Sequence, residues 1–132
     1  MVPRVLYIED SIDNLVLVRR ILRAAGFELL EATSAREGIA IAEQQIPDLI
    51  LMDINMPEMD GLTATTHLRQ NPALSHIPIV ALTANLMRNV LDQALEAGCD
   101  GYIAKPITVD DLPKQIMSYL ENGRKQGTDK LP

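Results

Sequence analysis

The chain has 132 residues, 47% hydrophobic and 23% charged. That fits one compact domain, is too short for two ordinary ones, and excludes disorder over most of the length. A net charge of -6 with only 3% aromatics argues against direct nucleic-acid binding, which draws on clustered Lys and Arg and on stacking rings.

The apolar pattern alternates between short runs and longer amphipathic stretches. Val5 to Ile8 reads as a buried strand ending at Glu9-Asp10. Leu15, Val18, Ile21, Leu22 and Ala25 follow at helical spacing, with Gly26 as the stop. Phe27 to Leu30 reads as a second strand. Ser34 and Glu37 form a capping box for a helix running to about Glu43, ended by Pro47. Leu49 to Met52 is a third strand that ends at Asp53. Leu62, Thr65 and Leu68 give a weaker helix that stops before Pro72. Ile77 to Leu82 is a fourth strand, and Leu86 to Ala97 a helix closed by Gly98. Tyr102 to Ala104 is a fifth strand. Leu112, Ile116, Tyr119 and Leu120 mark a last helix, with Pro113 in its first turn and Asp110 or Asp111 near its cap. Strands alternating with helices, and apolar at nearly every position, predict an α/β fold whose parallel sheet is covered on both faces. Residues 123–132 lack an apolar period and read as a flexible tail or the start of a linker.

In open α/β sheets, sites form beyond the carboxyl ends of the strands. Those ends carry Glu9-Asp10, Asp53, Thr83-Ala84 and Lys105-Pro106. Three carboxylates brought together resist joint ionisation, and a divalent cation removes the conflict. Oxygen donors suit Mg²⁺. A nearby Lys and Thr suit an anion, and the set fits phosphoryl transfer with an Asp carboxylate as nucleophile. Taken singly, each of these features is an ordinary turn residue; their occurrence at the ends of four strands is what carries the reading. His67 and His76 have no second ligand at metal spacing, and Cys99 reads as a small packing residue. As the single cysteine, Cys99 cannot form an internal disulfide. With no leader-like opening and no apolar run of about 18 residues, the expected setting is cytoplasmic, away from the membrane.

These residues give the chain a family resemblance. Tyr7-Ile8-Glu9-Asp10, the stretch from Leu51-Met52-Asp53 through Met56-Pro57-Glu58-Met59-Asp60-Gly61, Ala81-Leu82-Thr83-Ala84 and Gly101-Tyr102-Ile103-Ala104-Lys105-Pro106 resemble, in order and spacing, the receiver domain of two-component response regulators. The resemblance spans about residues 4 to 122 and implies a receiver over 1–122. It implies a flavodoxin-like, doubly wound five-stranded parallel sheet of order 2-1-3-4-5 with five helices. It implies Asp53 as phosphoacceptor, and Asp10, Asp53 and the backbone carbonyl of Asn55 as Mg²⁺ ligands, with Glu9 acting through water and Mn²⁺ as a substitute ion. Lys105, Thr83 and the backbone N–H of Ala84 would bind the phosphoryl group, and Thr83 and Tyr102 would form the switch. The Lys105–Pro106 bond would be cis, and Pro57 and Gly61 would shape the loop after Asp53.

The implied partners are a histidine kinase or histidine phosphotransfer protein, and a downstream partner at the face of the fourth helix, fifth strand and fifth helix. The implied state is a monomer or weak dimer. No enzymatic activity is expected beyond self-catalysed phosphoryl transfer and slow autodephosphorylation. The short tail and the ending Lys105-Pro106-Ile107 favour a single-domain regulator or the receiver of a hybrid histidine kinase over a DNA-binding regulator. Three rivals share some features. A flavodoxin-like cofactor domain would need a Ser, Thr and Gly phosphate loop where Glu9-Asp10-Ser11 stands. An aspartyl-phosphate phosphatase would need an acid where Asn55 stands. A pseudo-receiver would be an interaction module that is never phosphorylated.

Overall fold

A computed structural model describes residues 2–55 and 60–123. The readings of Met56, Pro57 and Met59, and of the tail from residue 124, lie outside the described residues. The chain alternates β1 (Arg4–Ile8), α1 (Ile12–Ala24), β2 (Glu28–Ala32), α2 (Ala35–Gln45), β3 (Leu49–Asp53), α3 (Gly61–Arg69), β4 (Ile79–Thr83), α4 (Arg88–Ala97), β5 (Gly101–Ala104) and α5 (Asp111–Asn122). All neighbouring strands pair in parallel, in the order β2-β1-β3-β4-β5. That is the doubly wound fold and strand order implied by the family resemblance.

Side-chain alternation splits the core in two. Leu6, Ile8, Ile50, Met52, Ile79 and Ala81 pack with α2, α3 and the single buried α4 residue, Ala94. Val5, Tyr7, Leu49, Leu51, Val80 and Leu82 pack with Leu15, Val18 and Leu22 of α1 and Leu112 and Ile116 of α5. The three inner strands are therefore buried almost throughout and apolar except for Arg4, Asp53 and Thr83 at their ends, and the edge strands β2 and β5 are only partly buried.

Most helix starts follow local chemistry. Ser34 Oγ accepts from Glu37 N at 3.1 Å, but the Glu37 carboxylate reaches the Thr33 N–H at 2.7 Å, one residue before the cap. Asp60 caps α3 through the Thr63 N–H at 2.8 Å. At α5, Asp110 occupies the cap position without a side-chain bond. Thr108 does that work instead: it donates to the Asp111 carboxylate at 2.9 Å and accepts the Asp111 N–H at 3.3 Å.

Three elements start later than the periodicity suggests, each for a backbone reason. Phe27 gives its N–H to Leu22 O at the end of α1, so β2 starts one residue later. Ile77 N–H turns back to Leu74 O at the end of the short 3-10 turn Pro72–Leu74, and Pro78 has none to give, so β4 starts at Ile79. Leu86 and Met87 are exposed, and Asn85 Oδ1 holds the Met87 N–H at 3.0 Å in a turn before α4.

One polar knot ties α3, the 3-10 turn, β4 and the entry to β5. Arg69 donates to Asp100 Oδ2 at 2.8 Å, to Gly98 O at 3.0 Å and to Leu74 O at 3.1 Å. Asp100 Oδ2 also accepts the Ile79 N–H at 2.9 Å. Gly98 ends α4 at φ 117°, a conformation that disfavours side chains, and a Cβ there would press on the Arg69 stem.

Candidate functional site

The carboxyl ends of β1 and β3 lie side by side, with Ile8 paired to Met52. The next residue on β1 and the last on β3 are therefore neighbours. Carboxylate oxygens of Glu9, Asp10 and Asp53 lie within 4.8 Å of one another. Glu9 and Asp53 are buried at 1% and 2% exposure, while Asp10 faces solvent. The sequence brings these acids together because each follows an apolar strand that the sheet aligns.

Lys105, just beyond β5, reaches into this cluster. Its Nζ is 3.5 Å from Asp53 Oδ1 and 3.9 Å from Glu9 Oε1. Its backbone N–H bonds Thr83 O at 2.9 Å, which fixes the end of β5 to the end of β4. The peptide between Lys105 and Pro106 is cis. Asp53 Oδ1 accepts the Asn55 N–H at 3.0 Å, and Asn55 is exposed beside it. Thr83 is fully buried, and its hydroxyl is closed into a local turn: it accepts Asn85 N–H at 3.0 Å and donates to Asn85 O at 3.2 Å. Ala84 and Tyr102 stand at the surface, the Tyr102 residue 44% exposed.

Sequence reasoning missed the groups that hold Glu9. Tyr7 O–H donates to Glu9 Oε1 at 2.6 Å, Asn14 Nδ2 donates to the same oxygen at 3.4 Å, and the Ser11 N–H donates to Oε2 at 3.3 Å. The i, i+2 spacing of Tyr7 and Glu9 puts both on one face of β1, a signal present in the sequence. Cys99, by contrast, is buried against Thr65 with its thiol pushed up to about 11 by burial.

Burial, then the neighbouring Asp53, pushes the Glu9 carboxyl up to about 7 from its ordinary 4.5, while the Tyr7 and Ser11 donors pull it down. A raised folded value means the native state binds the extra proton between these two pH values. Glu9 thus favours the metal-free fold below about 4.5, and that contribution fades as pH rises through about 7. Against Glu9→Gln, the metal-free wild type is expected to lose relative stability over this window, by roughly 1 kcal/mol per pH unit at most. Urea midpoints of both proteins from pH 5 to 8 test this; parallel curves would contradict it.

Gly61 holds α3 against the site. A Cβ there would come within 2.5 Å of Asp53 O and of Ile54 Cα, backbone that cannot swing aside. Gly61→Ala is expected to displace the end of β3 and cost about 1–3 kcal/mol. An unchanged urea midpoint would show instead that the start of α3 yields freely.

Comparison with known proteins agrees with this geometry. Residues 5–117 match the profile of the response regulator receiver domain. The polar-differentiation response regulator DivK of Brucella ovis is 39% identical over 120 residues, covering 91% of this chain and 98% of its own. Among solved structures, the chemotaxis protein CheY4 of Vibrio cholerae superposes with a TM-score of 0.86 at 29% identity, covering 89% of this chain and 98% of that one. The receiver domain of the sensor histidine kinase PA1611 of Pseudomonas aeruginosa, described with a magnesium ion coordinated in its active-site cleft, gives 0.85 at 30% identity, covering 92% and 99%. With an acidic cleft at the carboxyl edge of a 2-1-3-4-5 sheet and a profile match over most of its length, the chain belongs to the response regulator receiver domain family.

Proposed function

We propose that this chain is a phosphorylation-switched signalling domain of a two-component phosphorelay, which accepts a phosphoryl group from a phosphohistidine onto Asp53 with Mg²⁺. The observation that carries the reading is the meeting of three carboxylates within 4.8 Å and an ammonium 3.5 Å from one of them. All-oxygen donors at a cleft fit a hard cation, which keeps waters and takes one or two carboxylates plus phosphate oxygens. Asp10, Asp53 and the Asn55 carbonyl would be its direct ligands, with Glu9 acting through water. Mn²⁺ suits the same donors. Bound there, the ion would neutralise charge on the carboxylates and on the arriving phosphoryl oxygens.

Asp53 supplies the nucleophile. One carboxylate oxygen forms the O–P bond as the P–N bond to the histidine breaks, and the electron pair returns to the imidazole. Lys105 holds a phosphoryl oxygen, as does the Ala84 N–H. Thr83 leaves its turn with Asn85 for the new charged acceptor, a bond of about 1.5–3 kcal/mol. The space it vacates is open to the Tyr102 ring. The α4–β5–α5 face then changes shape for a downstream partner, and Leu95 of α4 and Tyr102 of β5 are exposed apolar residues on its elements. Slow hydrolysis of the aspartyl phosphate returns the site to rest. The donor is a histidine kinase or phosphotransfer protein in the cytoplasm, and the domain works as a monomer or weak dimer. Among the described residues no helix is long and apolar enough to cross a membrane.

The test is incubation with acetyl phosphate, with and without Mg²⁺, followed by intact mass. The wild type is expected to gain one phosphoryl group only with Mg²⁺, and Asp53→Asn none. Amide spectra of phosphorylated wild type should shift over residues 83–106 as well as around Asp53. A wild type that stays unmodified at saturating Mg²⁺ would point to a pseudo-receiver, an interaction module alone.

A further inference from the structure

We propose that Tyr7 is a positioning residue of the cation site, holding the Glu9 carboxylate in the orientation from which it serves the bound ion. The inference rests on the Mg²⁺ reading above and extends it to a residue below the cleft.

Tyr7 and Glu9 alternate onto the same face of β1, and the Tyr7 ring is fully buried in the layer under α1 and α5. Its hydroxyl meets Glu9 Oε1 at 2.6 Å, a short and direct O–H bond. The other contacts of that oxygen are longer, 3.4 Å to Asn14 Nδ2 and 3.9 Å to Lys105 Nζ. Glu9 is itself 1% exposed, so bulk water cannot replace a lost partner.

A tyrosine in a buried strand needs some acceptor, and the nearest carboxylate would satisfy that need without any role in ion binding. The two roles differ in what they move. A purely structural hydroxyl affects folding stability alone. A positioning hydroxyl affects ion affinity, and only while Glu9 keeps its carboxylate. Without the hydroxyl, Oε1 keeps only its long contacts and the side chain is free to turn. Hydrogen-bonded partners of this kind typically change metal affinity by about 10–100-fold. Because Glu9 reaches the ion through water, the lower end applies.

The experiment is a titration of the metal-free protein with Mg²⁺ alone, followed by amide shifts near Ser11 and Asn55. Wild type, Tyr7→Phe, Glu9→Gln and the double variant are compared. Tyr7→Phe keeps the ring and its packing. It is expected to bind Mg²⁺ about tenfold more weakly, whereas in the Glu9→Gln background the same change should alter affinity little. Equal or tighter binding by Tyr7→Phe would overturn the proposal. So would an undiminished tenfold loss in the Glu9→Gln background, because Tyr7 would then act through packing. Unchanged affinity in Glu9→Gln alone would overturn it as well. A wild type that binds no Mg²⁺ would remove the metal reading itself, a failure distinct from equal binding by wild type and Tyr7→Phe.

Discussion

Asp100→Ala is expected to cost about 3–5 kcal/mol of folding stability, the usual penalty for breaking a buried ion pair from one side. The Asp100 and Arg69 side chains are 4% and 11% exposed and 2.8 Å apart. Removing the carboxylate withdraws the counter-charge from Arg69 and the acceptor from the Ile79 N–H at the start of β4. Arg69 keeps its bonds to Gly98 O and Leu74 O. A large fall in the urea midpoint with an unchanged slope is the expected reading. Arg69→Met should cost a similar amount, and the double variant less than the sum of the two, because the pair is then removed whole. A loss under about 1 kcal/mol for Asp100→Ala would mean that the pair behaves like a surface bridge.

The second large effect lies at Lys105, where charge and shape can be separated. Lys105→Ala leaves the buried Glu9 and Asp53 carboxylates without the ammonium that approaches both. The metal-free fold should lose stability, and phosphorylation by acetyl phosphate should slow by about a hundredfold, typical for removal of one donor aimed at developing negative charge. Lys105→Arg keeps the positive charge and should keep most of the stability. Its planar fork is wider than an ammonium and does not fit the same narrow approach to Asp53, so phosphorylation should still be impaired. Urea melts and initial rates of mass gain on both variants give the answer. Normal rates in both would reduce Lys105 to a surface charge.

Much of the fold was legible because its signals are local. The apolar runs of β1 and β3 end at acids, and Ser34 with Glu37 announces α2. The pairing order was not local: nothing in the periodicity places β3 rather than β2 next to β4, and that knowledge came from the family resemblance. The boundaries misread share one cause. Ile77, Leu86 and Met87 look like parts of a strand and a helix from their apolar runs, yet N–H bonds to Leu74 O and Asn85 Oδ1 commit Ile77, which is buried, and Met87, which is exposed, to turns. At α5 the spacing Thr108-Val109-Asp110-Asp111 carries a capping pattern, but the two acids beside the helix start are equally good cap candidates by sequence, and only the bonds of Thr108 to Asp111 decide between them. In the site, the strand-end residues were readable from position alone. Tyr7 was not, since a tyrosine inside an apolar strand counts as core until its hydroxyl is seen to have a destination.

The division of the core into two layers has a bearing on how a message could travel. By strand alternation Asp53 falls with Leu49 and Leu51 on the side of α1 and α5, whereas Thr83 falls with Ile79 and Ala81 on the side of α2, α3 and α4. Within the sheet, backbone separates the two sides and no side chain crosses it. Past the last paired residues that partition stops. An event on one side can touch the other there without disturbing either packed layer, so the rim can respond while the body of the domain stays rigid.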